Sequence, residues 1–176
     1  KGNELVQFKG HTKGLRMAKF SPDGNQLLTF SGDSTVKLWS ITGEINKSFK
    51  ETNGSVYDVC FSSNGQFIAI GNSEKEVRIF DLSGKKIKIL SGHKDVAFSN
   101  DGNYLLTRFE NLKARVFNLN EGTYKELTGH TAKIWSICFS PDGKQILTAS
   151  DDASARLWDL NGTELMVLKG HSSTIL

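Results

Sequence analysis

All four histidines of the chain, His11, His93, His130 and His171, directly follow a glycine. Asp33 and Asp152 lie 22 residues beyond His11 and His130, with Thr29 and Thr148 in between. Imidazole, carboxylate and hydroxyl groups are the parts of a metal site or of a nucleophile–base–orienter triad. The spacing argues against both. The histidines recur once per stretch of about 40 residues instead of converging, and no close His/Cys/Asp spacing of the zinc kind occurs. An active site is unique in a chain, whereas this set appears twice in matching positions. No catalytic residue, metal or cofactor is therefore expected. Cys60 and Cys138 occupy one position in two different copies, with a whole copy between them, so both are expected to be buried free thiols.

The chemistry-bearing residues belong to a repeat. A four-residue turn starts at Ser21, Ser62, Ser99 and Ser140, with spacings of 41, 37 and 41 residues. Trp39, Phe80, Phe117 and Trp158 show the same three spacings. The glycine of the Gly-His pair falls at 10, 92, 129 and 170, so the pair missing from the second copy belongs at Glu51-Thr52. Residues 10–50 and 129–169 are identical at 17 of 41 positions, which makes these units copies of one another.

Each unit reads as four short strands. In the last copy the pattern predicts strands over 134–139, 145–150, 154–159 and 164–168, bounded by Ser140–Gly143, Asp151–Ala153 and Asn161-Gly162. No stretch holds a helical period longer than three turns, and 17 glycines against two prolines fit a chain of tight turns.

A period near 41, a Gly-His pair, a Ser-Pro-Asp-Gly turn and the terminal Trp158-Asp159 together resemble the WD-repeat β-propellers over essentially the whole chain. The wording Trp158-Asp159-Leu160-Asn161-Gly162 looks most like bacterial multi-repeat WD proteins. The resemblance implies an all-β fold in which each repeat is one four-stranded blade. Blades are expected at about 10–50, 51–91, 92–128 and 129–169. Residues 1–9 would supply the last strand of a preceding blade (Glu4 to Lys9), and 170–176 would open a further one. Rings of this family commonly have seven or eight blades. The chain is thus expected to be part of a larger ring, completed by further blades or by a second chain. The absence of an initiator methionine agrees with that expectation.

The resemblance also implies a hydrogen-bonded tetrad in each blade. Here it maps onto His11, Thr29, Asp33 and Trp39, and onto His130, Thr148, Asp152 and Trp158. Indole donates only, carboxylate accepts only, and hydroxyl and neutral imidazole do both, so the four groups can satisfy one another. Such a chain is costly unless complete. Copy two carries Thr52, Ile70, Glu74 and Phe80, and copy three His93, Thr107, Asn111 and Phe117; both are expected to rely on apolar packing.

In the family, the start of the first strand looks out from the top face, and Arg16, Tyr57 and Trp135 hold that position here. The residue before the turn carboxylate reaches the same face: Gly32, Ser73, Glu110 and Asp151. Aromatic and arginine side chains are what binding hot spots favour. The opposing expectation for Trp135 is packing between blades.

Copy three is four residues short, and aligning Lys94 with Asn53 and Asp95 with Asp58 removes the equivalents of Gly54 to Tyr57. On that alignment His93 cannot take its usual place.

The net charge is only +3, too weak and dispersed to argue for nucleic acid. The lysines crowd the fourth strands (Lys9, Lys47, Lys50, Lys85, Lys86, Lys88, Lys125 and Lys169), where they are expected to protect sheet edges, the alternative being a stripe for nucleic acid or an acidic partner. No apolar run is long enough to span a membrane as a helix, and Lys1 opens no leader-like segment, so a cytoplasmic location is expected. The function expected is a non-catalytic scaffold binding a protein or peptide on its top face. The second reading is a sensor array of a larger bacterial signalling NTPase.

Overall fold

The structure is a computed structural model that describes residues 3–50, 55–91 and 93–173, with the side chains at 91, 93 and 94 outside the description. The described residues form sixteen strands of six residues each and no helix. Four consecutive strands make each antiparallel sheet. Sheet 1 holds β1 (Leu15–Phe20), β2 (Gln26–Ser31), β3 (Thr35–Ser40) and β4 (Ile45–Lys50). Sheet 2 holds β5 (Val56–Phe61), β6 (Phe67–Asn72), β7 (Glu76–Asp81) and β8 (Lys86–Ser91). Sheet 3 holds β9 (His93–Phe98), β10 (Tyr104–Phe109), β11 (Lys113–Asn118) and β12 (Thr123–Thr128). Sheet 4 holds β13 (Ile134–Phe139), β14 (Gln145–Ser150), β15 (Ser154–Asp159) and β16 (Glu164–Lys169). Each is a four-stranded blade of the expected all-β kind.

The chain divides into two compact units, Lys1–Ser91 and Gly92–Leu176. In the first, Leu28, Leu38 and Phe49 of sheet 1 pack with Val56, Val59 and Ile70 of sheet 2. In the second, Leu106, Val116 and Leu127 of sheet 3 pack with Ile134, Ile146 and Trp158 of sheet 4. The inner strands β2 and β6 are buried along nearly their whole length, so their sequences run apolar instead of alternating.

Local hydrogen bonding sets the first turn of every sheet. The Ser21 hydroxyl donates to Asp23 Oδ1 at 2.5 Å, and the Gly24 N–H donates to the Ser21 carbonyl at 2.9 Å. Gly24 takes a left-handed φ of 72°, which a side chain would oppose. Ser62–Asn64, Ser99–Asp101 and Ser140–Asp142 repeat the hydroxyl bond at 2.7, 2.6 and 2.6 Å.

Three expectations are corrected. Residues 4–9 form no strand. They lie along sheet 1, with the Phe8 ring edge-on to Trp39 at 5.7 Å. A lone extended segment without a ladder partner gains side-chain packing but no strand pairing.

Cys60 is buried, but Cys138 is exposed. Ile137 and Phe139 pack into the core of the second unit, so strand alternation turns Cys138 to the other side of β13.

In copy three, β9 starts at His93, with His93 opposite Phe109 and Val96 opposite Thr107. His93 and Lys94 therefore hold the ladder positions of Ile134 and Trp135 in sheet 4, and of Val56 and Tyr57 in sheet 2. The shortfall lies before the strand and not within it. The ladder decides this, because a one-residue slip would turn the buried Val96 out of the core.

Candidate functional site

The tetrad residues meet in sheets 1 and 4. The Trp39 indole N–H donates to Thr29 Oγ1 at 2.8 Å, Thr29 Oγ1 lies 2.8 Å from His11 Nε2, and His11 Nδ1 lies 3.0 Å from Asp33 Oδ2. In sheet 4 the same three separations, from Trp158 through Thr148 and His130 to Asp152, are 2.9, 2.7 and 2.8 Å. One arrangement satisfies all four groups. Indole donates to hydroxyl, hydroxyl donates to Nε2, and Nδ1–H donates to carboxylate. The Thr12 and Thr131 N–H groups also donate to these carboxylates, at 2.9 and 3.0 Å. Burial by itself would push both carboxyls up. The hydroxyls of Thr35 and Ser154, with the backbone and imidazole donors, outweigh it and hold both well below the usual carboxylate range.

This geometry fastens strands together and offers no nucleophile. Thr29 and Thr148 are buried, and each hydroxyl is engaged by both an indole and an imidazole. Among the described residues, no three His, Cys, Asp or Glu side chains are grouped to hold a metal.

Sheets 2 and 3 lack the indole and differ accordingly. Ile70 is fully buried where Thr29 stands in sheet 1, and Phe80 packs on Phe49 with ring centroids 5.0 Å apart. Glu74 turns outward to Arg78 at 2.8 Å. The expected contribution of Thr52 and of the His93 side chain lies outside the described residues. In sheet 3, Phe109 replaces the residue that caps the turn elsewhere: Ser31, Asn72 or Ser150, each accepting a backbone N–H at 3.0–3.2 Å. The cap being lost, the β10–β11 ladder runs to Phe109–Lys113 and the turn shrinks to residues 110–112. The left-handed residue moves to Glu110, from the position held by Ser34, Lys75 and Ala153 in the other sheets. The Arg115 guanidinium stacks on Phe109 at 3.3 Å and on Tyr124 at 4.6 Å, and bonds Glu126. Sequence reading missed this cluster; its signal was an arginine beside two aromatics at cross-strand positions.

The candidate surface residues share one structural feature. In β1, β5 and β13 the ladder slips by one residue, and the extra residue is Arg16, Tyr57 and Trp135 respectively. Such β-bulges re-aim a side chain out of the pleat. All three are exposed, Tyr57 at 45% and Trp135 at 41%. Trp135 is therefore not sealed between sheets, and the Lys133 ammonium sits 3.1 Å from its ring centroid. The turn residues close over the same strand ends. Gly32 N–H donates to the Gly14 carbonyl at 3.1 Å, Ser73 N–H to Ser55 at 2.8 Å, and Asp151 N–H to Lys133 at 2.9 Å. Each bulge residue thus shares a sheet end with its turn: Arg16 with Gly32, Tyr57 with Ser73, and Trp135 with Asp151. Sequence reading missed Lys133, although its placement two residues from Trp135 on a strand edge was a signal.

Comparison with known proteins agrees with this architecture. The sequence profile of the WD40 family, described as "WD domain, G-beta repeat", matches residues 2–40, 43–81, 84–118 and 122–159. The chain is 35% identical over 94 residues to a serine-threonine kinase receptor-associated protein of Dictyostelium discoideum, covering 52% of this chain and 32% of that protein. It is 32% identical over 81 residues to protein Rae1 of Drosophila melanogaster, covering 43% and 23%. The matches span a third or less of the length of these curated relatives. Both are eukaryotic and lend no support to the bacterial likeness suggested by the wording of copy four.

Proposed function

Given that the chain belongs to the WD40 repeat family across all four of its copies, we propose that it is a non-catalytic scaffold. In this reading, the bulge-and-turn end of its sheets receives a protein or peptide. The observation that carries the reading is the repeated bulge: three sheets use it to present Arg16, Tyr57 and Trp135 outward. Large amphipathic side chains held by rigid sheets suit a binding hot spot. Ser73, Glu110 and Asp151 would form its polar rim. The tetrads would hold the strand ends that carry it, and a cytoplasmic setting remains part of the proposal.

The four sheets would be consecutive blades at about 10–50, 51–91, 92–128 and 129–169 of a larger ring. A spacing rule supports the placement of the leading segment around Val6 against sheet 1. Lys47 approaches Gly84 so closely that a side chain there would collide, and Lys125 lies 3.3 Å from the Cβ position of Gly162. Val6 lies 2.9 Å from the Cβ position of Gly43. Each pair is 37 residues apart. The leading segment thus sits on sheet 1 as β4 and β12 sit on the sheets that follow them. Further blades, or a second chain, would supply the remainder of the ring.

Photo-crosslinking tests the surface. Benzoylphenylalanine placed at 57 or 135 should crosslink to a partner protein in cells, and the same group at Lys88 on the outer strand β8 should not. Equal crosslinking from all three positions, or none from 57 and 135, contradicts the proposal.

A further inference from the structure

We infer that the bulge-and-turn end of the first unit takes an acidic protein segment; this rests on reading that end as a partner surface. Lys13, Arg16 and Lys75 are exposed there, and their side chains make no hydrogen bond or ion pair among the described residues. The carboxylates of the same region are engaged. Asp33 lies within the tetrad, Asp58 receives Lys19 at 3.1 Å, and Arg78 holds Glu74 and Glu76 at 2.8 and 2.9 Å. The end therefore presents positive charge without a matching described acid.

Its parts are positioned. The Lys13 stem lies 3.8 Å from the Cβ position of Gly32, against the β2–β3 turn. Lys75 ends the corresponding turn of sheet 2. Arg16 and Tyr57 project from the bulges of β1 and β5, and the Lys19–Asp58 pair ties these two strands together. An arginine fork takes a carboxylate through two hydrogen bonds, and a half-exposed tyrosine gives the adjoining backbone a flat apolar seat. The second unit differs: Glu110 and Asp151 are exposed, and Lys133 covers Trp135. Three cations on two sheets of a chain with net charge +3 would neutralise few phosphates, so a carboxylate-bearing segment fits better than a nucleic acid.

The test measures fluorescence anisotropy on the protein. The probes are a labelled peptide of alternating glutamate and alanine, its lysine counterpart, and a labelled single-stranded oligonucleotide. The glutamate peptide should bind, and the lysine peptide should not. Arg16→Glu should weaken binding at least about fivefold, more at low salt than at high, with an unchanged melting temperature. Arg16→Gln, which keeps a neutral side chain of similar reach, should weaken it less. No binding of the glutamate peptide, or binding indifferent to Arg16→Glu, overturns the inference. So does tighter binding of the oligonucleotide through Arg16. The crosslinks at 57 separate this inference from the reading beneath it. A captured segment that is neutral or basic refutes only the acidic partner, whereas no captured segment refutes the surface as well.

Discussion

Trp158 donates its indole N–H to the Thr148 hydroxyl at 2.9 Å, and both side chains are buried. That bond joins β15 to β14, and the Thr148 hydroxyl hands the chain of hydrogen bonds on to His130 and Asp152. The far end of the chain is the carboxylate, which also receives the Thr131 N–H just before the bulged strand. Core fastening and the geometry of the exposed end are thus parts of one network.

Removing the carboxylate should release it. Asp152→Ala leaves the donors of His130, Ser154 and Thr131 without their acceptor and should cost roughly 1–3 kcal/mol. Glu74→Ala, at the matching position of sheet 2, removes only an exposed pair with Arg78 and should cost less than about 1 kcal/mol. Urea denaturation of the two variants checks the contrast; equal costs would deny the network its role.

The two turn aspartates make stability acid-sensitive. Their carboxyls are held below the usual range in the folded chain, so their contribution is complete above the unfolded carboxylate pKa of about 3.9. It is lost as pH falls below that value towards the depressed folded one. The melting temperature should drop on acidification below about pH 4. Asp152→Asn, measured across the same range, should drop less steeply than the unmodified protein.

Sheet 2 should reject a partial network. Ile70→Thr buries a hydroxyl where Phe80 offers no donor, and should destabilise by about 1–3 kcal/mol despite restoring the residue type of Thr29. A neutral result in thermal melting would show that the hydroxyl finds a partner.

Arg115 should matter in sheet 3. Arg115→Ala removes its stacking on Phe109 and Tyr124 and its bond to Glu126, at a cost of about 1–2 kcal/mol. Lysine should restore little, since it lacks the planar fork. Chemical denaturation of the alanine and lysine variants distinguishes this from a simple charge effect, which lysine would rescue.

The repeat made strands and tetrads legible in the sequence, because hydrogen-bonding types at fixed spacing admit few arrangements. The family resemblance picked out His130, Thr148, Asp152 and Trp158, and donor and acceptor chemistry shows that the four can satisfy one another. Features set by neighbouring sheets were not legible. Cys138 shares its repeat position with the buried Cys60 yet is exposed, because exposure depends on what packs against that side of the strand. The match of Asp95 with Asp58 holds in the ladder, but Lys94 takes the place of Tyr57 and not of Asn53, a register visible only in three dimensions. The turn at Glu110 changed for a legible reason, Phe109 in place of a capping serine, whose consequence needed the backbone to appear.

On the proposed function, the bulge residues bind a partner and do not hold the fold together. The most direct measurement is the affinity of the crosslinked partner for Tyr57→Ala and Trp135→Ala, set beside the melting temperature of each variant. Binding should weaken about tenfold or more, with melting within a few degrees of the unmodified protein. Unchanged affinity together with a large fall in melting temperature would contradict the proposal, making these aromatics packing residues.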